Sequence, residues 1–167
     1  MMKRVLVIGS GGSGKTYFST RLAEKVGLPV HHLDQVFWGR DWTPIGRDEY
    51  RAEVDRISGE PSWVIDGNYF SSFDIRVPKA DTIVFLDRSP LLCVFRVFKR
   101  RIRYSGQTRP SMAAGNKEKL TWEFIRYILS YRRTRRQKIM ELLGSATHAN
   151  TVVLRSNAEI DCFINDR

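Results

Sequence analysis

The sequence predicts an α/β fold in which short apolar strands alternate with helices along a chain of 167 residues. Short runs rich in valine and isoleucine recur along the chain, and segments with a helical spacing of apolar residues separate them. A glycine-rich turn joins the first run to the first helical segment, which is typical of a strand–loop–helix unit. The predicted strands are 5–8, 29–33, 63–65, 82–86 and 151–154.

Length and composition indicate a single soluble domain over 1–167. Hydrophobic residues make up 42% of the chain and charged residues 28%, as in ordinary globular proteins. No apolar run approaches the roughly 20 residues of a membrane span. Cys93 and Cys162 lack the spacing of a metal site, so we expect free thiols in a cytoplasmic protein. The net charge of +10 fits either nucleic acid or a site for several phosphates.

The turn after the first strand fits the P-loop pattern G-x-x-x-x-G-K-[ST]. Its residues are Gly9, Ser10, Gly11, Gly12, Ser13, Gly14, Lys15 and Thr16. Glycines let the backbone amides converge on a polyphosphate, and the N-terminus of the following helix favours an anion. Lys15 is then placed to reach the β- and γ-phosphates, and the Thr16 hydroxyl to bind Mg²⁺. The turn is therefore predicted to bind a nucleoside triphosphate.

The first helix is predicted over 14–26, because Phe18, Leu22 and Val26 recur at four-residue spacing and Gly27 follows them. The amphipathic segment 48–57 is predicted to form the next long helix.

Asp34 ends the second predicted strand, and ligands of α/β sheets gather at the carboxyl ends of strands. Asp34 is therefore a candidate to bind magnesium through water or to hold an acceptor, with a turn or capping aspartate as the alternative. Trp38 lies in the aromatic stretch that follows. Such a stretch would either line one side of a site for a flat acceptor or form a small hydrophobic core under a loop.

The third predicted strand closes on Asp66-Gly67, which is the arrangement of a Walker B aspartate that holds magnesium. Asp87, after the fourth strand, is the rival candidate. We favour Asp66, because the glycine that follows it suits a close approach to a ligand. No glutamate follows either aspartate, which favours a transferase whose nucleophile comes from a second substrate.

The segment 89–104 is predicted to be a helix that begins at Ser89-Pro90. We expect its apolar residues to be buried; these are Leu91, Leu92, Val94, Phe95, Phe98 and Ile102. Basic residues accumulate in its second half, and an aperiodic segment follows at about 104–117. We interpret this segment as a lid that excludes water and brings positive charge to a transferring phosphoryl group. The alternative is a solvated basic helix end that interacts with the helix dipole.

One helical segment is predicted over about 117–143. The apolar spacing from Tyr131 to Ile139 passes through Arg135, and a buried arginine requires a partner. The partner would be a ligand phosphate or a carboxylate such as Asp66. The last strand then leads into a short closing helix.

Several stretches together resemble adenylate-kinase-type P-loop kinases and, more narrowly, the family of DNA topology modulation proteins related to FlaR. The stretches are Gly-Ser-Gly-Gly-Ser-Gly-Lys at 9–15, His-Leu-Asp at 32–34, Trp-Val-Ile-Asp-Gly-Asn-Tyr at 63–69, Thr-Arg-Pro-x-Met-Ala-x-Gly at 108–115 and Tyr-x-x-x-Arg-Arg at 131–136. The resemblance implies a three-layer P-loop fold, with a five-stranded parallel sheet in order 2-3-1-4-5 between helices and a short arginine-rich lid. It also implies ATP and Mg²⁺ as cofactors.

The same resemblance implies roles for four arginines. Arg96 would lie near the adenine and Arg100 on the phosphates. Arg135 would bridge donor and acceptor, and Arg76 would bind the acceptor together with Asp34, Trp38 and Asp66. At 66–69 this sequence has Asp-Gly-Asn-Tyr where adenylate kinases have Asp-Gly-Phe-Pro-Arg, so the acceptor is left open.

Two functional hypotheses follow from these residues. In the first, the chain is a kinase that transfers the γ-phosphate of ATP to a nucleotide or other small acceptor, with Lys15, Asp34, Arg100 and Arg135 as catalytic groups. In the second, it is an ATP-switched regulator that binds nucleic acid and affects DNA topology, although the sequence contains no nucleic-acid-binding motif. The expected partners are ATP and an unidentified acceptor, without a membrane, and the expected state is a monomer or weak homodimer.

Overall fold

A computed structural model describes residues 2–108, 112 and 115–167. Five strands form one parallel sheet in the order β2-β3-β1-β4-β5, which confirms the expected fold class and strand order. The strands are β1 Arg4–Gly9, β2 Val30–His32, β3 Trp63–Asp66, β4 Thr82–Leu86 and β5 Asn150–Leu154. The helices are α1 Lys15–Val26, α2 Leu33–Phe37, α3 Arg47–Ser58, α4 Phe73–Arg76, α5 Pro90–Arg103, α6 Trp122–Thr134, α7 Arg136–Ser145 and α8 Asn157–Asn165.

Both faces of the sheet are covered, because successive strand residues point to opposite sides. On one face, Val5 and Val7 pack with residues of α1 and α8. On the other face, Leu6 and Ile8 pack with residues of α3, α6 and α7. The carboxyl ends of the strands therefore share one edge between the two helical layers. None of the described helices combines the length and apolar character required to cross a bilayer.

Two element boundaries differ from the sequence-based expectation. The second strand ends at His32, and Leu33 begins α2, so that Asp34 lies in the first helical turn. The helix expected over 117–143 is divided into α6 and α7. Arg135 separates them, since its φ of −119° departs from helical geometry.

The burial of α5 also differs from expectation. The helix has two apolar stripes, and only the inner one, with Cys93 and Val97, packs against Ile128 of α6. The other stripe faces solvent, with side chains that are between 55% and 73% exposed. We call it the outer stripe of α5; it consists of Leu91, Phe95, Phe98 and Ile102. The spacing of apolar residues identified the helix correctly. Because the helix carries two apolar stripes, however, the sequence does not show which of them is buried.

Candidate active site

The P-loop curls tightly at the carboxyl end of β1. Gly12 and Gly14 adopt positive φ angles of 76° and 99°, which side chains rarely tolerate. A Cβ atom on Gly12 would also lie 2.4 Å from the backbone oxygen of Cys93 in α5. The Lys15 Nζ donates to the Gly9 and Ser10 carbonyls, at 2.9 and 3.0 Å. These contacts fold the Lys15 side chain back over the loop whose bound phosphates it is predicted to contact.

A cavity of about 1550 Å³ opens above this loop, at the carboxyl edge of the sheet. Pockets for a single small ligand commonly span roughly 300–1,000 Å³, so this cavity has room for a nucleotide and a second molecule. Of the predicted site residues, those that line it are Gly11, Gly12, Ser13, Gly14, Lys15, Thr16, Asp34, Trp38, Asp66, Arg96 and Arg100. Gly9 and Ser10 contribute the carbonyls that hold Lys15 but do not line the cavity themselves.

The basic wall of the cavity comes from one flank of α5. Spacings of three and four residues bring its members onto the same side of the helix; they are Arg96, Lys99, Arg100 and Arg103. Arg96 reaches the loop and α8, donating to the Ser13 carbonyl at 3.2 Å and to Asn157 Oδ1 at 3.0 Å. This concentration of positive charge favours a polyphosphate in the cavity.

Arg100 is also fixed by a carboxylate near the lid. Its Nε donates to Glu118 Oε1 at 2.7 Å, and the Glu118 side chain is almost fully buried. A charge-assisted hydrogen bond to a buried acceptor restricts the guanidinium to one orientation. Arg100 is thereby held at the rim of the cavity, where its predicted phosphate contact would be made.

The acidic side of the cavity is built on β2 and β3. His32 and Asp66 are register partners in the parallel ladder, and His32 Nδ1 lies 2.9 Å from Asp66 Oδ2. The Asp66 side chain is 5% exposed, and the imidazole therefore fixes a nearly buried carboxylate. His32 also lines the cavity.

The oxygen ligands available near the loop fit Mg²⁺ bound together with phosphate. Thr16 and Asp66 line the same cavity and supply a hydroxyl and a carboxylate. Within residues 2–108, 112 and 115–167 there is no cluster of three histidine, cysteine or acidic side chains that would bind a metal ion unaided. Magnesium commonly takes one or two protein oxygens and completes its shell with water and substrate phosphates.

Asp34 is held by a tyrosine from the loop after β3. The Tyr69 hydroxyl donates to Asp34 Oδ1 at 2.8 Å. Burial and the neighbouring Asp34 carboxylate raise the pKa of Tyr69, so the hydroxyl remains a proton donor at neutral pH. Nearby, Trp38 packs edge-on against Trp42 with ring centroids 5.5 Å apart, and both indoles line the cavity.

Asp87 has different surroundings and does not line the cavity. Arg132 Nε and Arg136 Nε lie 3.2 and 2.8 Å from its two carboxylate oxygens, and Arg155 is 3.9 Å away. Burial alone would raise the pKa of Asp87, but the hydrogen bonds from Arg136 and Arg132 outweigh it and hold the pKa below its usual value. This carboxylate anchors α6 and α7 to the end of β4.

Arg76 and Arg135 lie outside the cavity, contrary to the positions implied by the resemblance. Arg76 is fully buried and donates to Ser72 Oγ and to the Gly67 and Tyr69 carbonyls. Burial lowers its pKa to about 10, and it supports the loop after β3 from below. Arg135 lies with its guanidinium carbon 5.0 Å from the centre of the Phe70 ring, at the junction of α6 and α7.

The described parts of the lid are joined to the acidic side of the cavity. A bridge between Thr108 and Lys117 closes the base of the lid. The Asn116 Oδ1 accepts from the Trp42 backbone N–H at 2.7 Å, and the Asn116 amide donates to the Gly39 carbonyl at 2.8 Å. Asp41 and Trp42 have positive φ angles of 56° and 61°, which non-glycine residues rarely adopt. The arginine predicted for this lid, Arg109, lies outside the described residues.

Sequence reasoning missed several cavity residues from loops and helices. Asn68 donates to the Tyr127 hydroxyl at 2.9 Å and accepts from the Tyr131 hydroxyl at 3.0 Å. Asn68, Tyr69 and Tyr127 all line the cavity. Asn68 and Tyr69 directly follow Asp66-Gly67, so their position after the strand was the available signal. Tyr127 had no such signal, because its spacing only indicates one of the apolar positions of a predicted helix.

The strand order, the helices on both faces and the glycine-rich turn that leads from β1 into α1 define a P-loop kinase fold. No family model matches the sequence, and comparison with curated proteins gives no significant match.

Solved structures that are similar to this chain include several described as kinases. A shikimate kinase from Bacteroides thetaiotaomicron is 20% identical with a TM-score of 0.56, covering 99% of this chain and 96% of that one. A shikimate kinase from Acinetobacter baumannii in complex with shikimate is 14% identical with a TM-score of 0.62, covering 99% and 90%. A deoxyadenosine kinase from M. mycoides with bound dATP is 12% identical with a TM-score of 0.59, covering 98% of each chain. At these identities the similarity establishes the fold.

Proposed function

We propose that this chain is a kinase that transfers the γ-phosphoryl group of ATP to an oxygen of a nucleotide or another small acceptor. One observation carries the proposal: a P-loop with Lys15 opens into the same cavity as the carboxylates of Asp34 and Asp66. Phosphoryl transfer needs a bound triphosphate, a metal and an oriented nucleophile within one water-excluding site. The cavity volume is consistent with two substrates bound together.

In this proposal the P-loop amides and Lys15 bind the β- and γ-phosphates, while Arg96 lies beside the adenine. Thr16 and Asp66 would hold Mg²⁺, which would neutralise charge on the phosphates. His32 orients Asp66 through the 2.9 Å contact and thereby positions the metal ligand. The small molecule is held on the opposite side, by Asp34 and the indole of Trp38.

The chemical step joins the acceptor oxygen to the γ-phosphorus and breaks the bond from that phosphorus to the bridging oxygen of ADP. The Asp34 carboxylate accepts the proton of the acceptor hydroxyl, and ADP leaves with the electron pair of the broken bond. Lys15 and Arg100 stabilise the charge that develops on the phosphoryl group. Arg135 has no place in this step in the present structure, because it stacks on Phe70 outside the cavity.

A small-molecule acceptor is supported by a matching structure that is described in complex with shikimate. The regulatory alternative has less support. The basic flank of α5 faces the cavity, where it would neutralise a nucleotide, and this accounts for part of the +10 charge. Duplex binding that is absent even at low salt would remove that alternative, since phosphate contacts to DNA strengthen as salt falls.

The direct test measures ADP release from Mg-ATP against nucleosides, nucleoside monophosphates, sugars and small hydroxy acids. We expect one class to stimulate release, and Lys15→Ala to abolish it. Lys15→Ala should remain folded but lose the thermal stabilisation that ATP gives, about 2.7 kcal/mol at 100 times the Kd. Lys25→Ala is the matched control, because Lys25 is exposed at the other end of α1. No acceptor-dependent release, or equal ATP stabilisation of Lys15→Ala and the parent, would contradict the proposal.

A further inference from the structure

The outer stripe of α5 has no covering element among the described residues. Leu91 is 73% exposed, Phe95 64%, Phe98 55% and Ile102 69%. Single exposed apolar residues are common on protein surfaces, but four large ones aligned on one helix form a contiguous patch. The stripe lies opposite the inner face of α5, where Cys93 is fully buried against α6. The helix is therefore apolar on two sides, and among the described residues only the inner side is packed against another element.

The spacing of the outer stripe is that of a helix–helix seam. Its members follow one another at intervals of four, three and four residues, which is the a/d repeat of helices that pack at a shallow angle. A seam of this kind over 14 residues fits one partner helix of similar length. The partner that necessarily carries a complementary stripe is another copy of α5.

The exposed area agrees with a weak dimer of this kind. Taking roughly 200 Å² for each fully exposed large side chain, the four residues of the outer stripe offer about 520 Å² of apolar surface per copy. Two copies would together bury about 1,000 Å², which is at the low end of specific protein interfaces.

We propose that two copies of the chain pair through the outer stripe of α5 about a two-fold axis, with the two helices antiparallel. The charges favour this orientation. Basic residues cluster in the last turn of α5, which contains Arg100, Arg101 and Arg103. A parallel pair would place these turns side by side, whereas an antiparallel pair sets Ile102 of one copy near the partner's Leu91 and separates the two clusters.

The rim of the patch determines how the dimer responds to salt. Lys99 and Arg101 flank the outer stripe on α5 itself. Repulsion between two such rims weakens the dimer at low ionic strength. Salt near 0.5 M screens charges beyond roughly 5 Å, so the dimer should tighten as salt increases. Binding of the same patch to anionic lipid would show the opposite dependence.

The test measures mass by sedimentation equilibrium between about 1 and 500 μM, in 50 and 500 mM NaCl. We expect a concentration-dependent dimer that tightens several-fold in high salt. Phe95→Glu with Phe98→Glu should weaken it at least about 100-fold, since both carboxylates would be buried in the seam. Tyr17→Glu is the matched control, because Tyr17 is similarly exposed, at 62%, but belongs to α1. Retained circular dichroism shows that the double variant is folded.

Orientation is tested by disulfide formation in a Cys162→Ser background. Leu91→Cys mixed with Ile102→Cys should cross-link, and neither variant should cross-link with itself. A monomer at every concentration and salt would overturn the proposal, as would a dimer unaffected by the Phe95/Phe98 double change. Self-linked Ile102→Cys would overturn the antiparallel arrangement. A monomer that sediments with phosphatidylglycerol vesicles would assign the patch to a lipid surface instead.

Discussion

His32 and Asp66 lie side by side on neighbouring parallel strands, with the imidazole Nδ1 2.9 Å from the carboxylate Oδ2. This pairing places an orienting group behind the candidate magnesium ligand. We expect His32→Leu to raise the Mg²⁺ concentration needed for half-maximal ADP release by about 10- to 100-fold, the usual cost of losing such a partner. A magnesium titration at saturating ATP measures the shift.

His31→Leu is the control for this experiment. His31 points to the other side of β2 and contacts Glu60, 2.9 Å away, and it does not line the cavity. Its replacement should leave the magnesium dependence unchanged. If both histidine variants shift the titration equally, the contact between His32 and Asp66 has no special role.

Asp87 is predicted to contribute stability that depends on pH. Because its pKa is lowered in the folded state, its contribution is complete above the unfolded pKa, near 4, and is lost as pH falls through the folded value. We expect Asp87→Asn to reduce the free energy of unfolding by about 1–3 kcal/mol at pH 7. The difference from the parent should shrink toward pH 3 in urea titrations.

Asp55→Asn removes an exposed aspartate that pairs with Lys79, and it should have no measurable effect on unfolding. The opposite outcome is that Asp87→Asn keeps the parent's free energy of unfolding but no longer responds to magnesium in the ADP-release assay. That outcome would make Asp87, rather than Asp66, the metal ligand.

Arg76 is predicted to be a structural residue. Arg76→Met removes the hydrogen bonds that the guanidinium donates to Ser72 Oγ and to the Gly67 and Tyr69 carbonyls. The Tyr69 carbonyl still accepts from Ser72, but the buried Gly67 carbonyl loses its donor from Arg76, and the free energy of unfolding should fall by about 3 kcal/mol. Thermal melting compares Arg76→Met with Arg51→Met. The Arg51 change removes only the exposed ion pair with Asp74, so it should alter the melting temperature little. A stable Arg76→Met with a raised KM for the acceptor alone would restore the role that the resemblance implied.

Gly12 allows α5 to approach the P-loop. Gly12→Ala should distort the loop and weaken ATP binding at least about tenfold, because its Cβ would meet the Cys93 carbonyl at 2.4 Å and its φ is 76°. Gly144→Ala, within α7, has nothing within 4 Å and should be neutral or stabilise by up to about 1 kcal/mol. Calorimetric titration with ATP separates the two outcomes; unchanged affinity in Gly12→Ala would refute the close approach.

The sequence was sufficient where the signal was local. The apolar runs at Val5 and Trp63 located strands, and the eight residues from Gly9 located the glycine-rich turn after β1. The resemblance then supplied the correct strand order. Asp34 and Asp66 were singled out because each ends such a run, and both line the cavity, although Asp34 belongs to α2 rather than to the strand.

Errors arose where the outcome depends on contacts between distant residues. The apolar residues of α5 do not reveal which stripe meets Ile128 of α6, so Phe95 and Phe98 were assigned to the core. The contact of His32 with Asp66 depends on strand register, which a sequence pattern does not specify. Arg76 has ordinary sequence surroundings, and only the folded loop beneath Gly67 explains its burial.

Asp41 and Trp42 hold an unfavourable backbone conformation, of a kind that costs about 1–3 kcal/mol for each residue. Hydrogen bonds from the Trp42 backbone N–H to Asn116 and from its indole to the Lys117 carbonyl secure that conformation. Because Trp42 packs on Trp38, the shape of the cavity wall at these indoles depends on two residues that lie about 75 positions further along the chain. A substitution at Asn116 is therefore expected to alter that wall although Asn116 does not line the cavity itself.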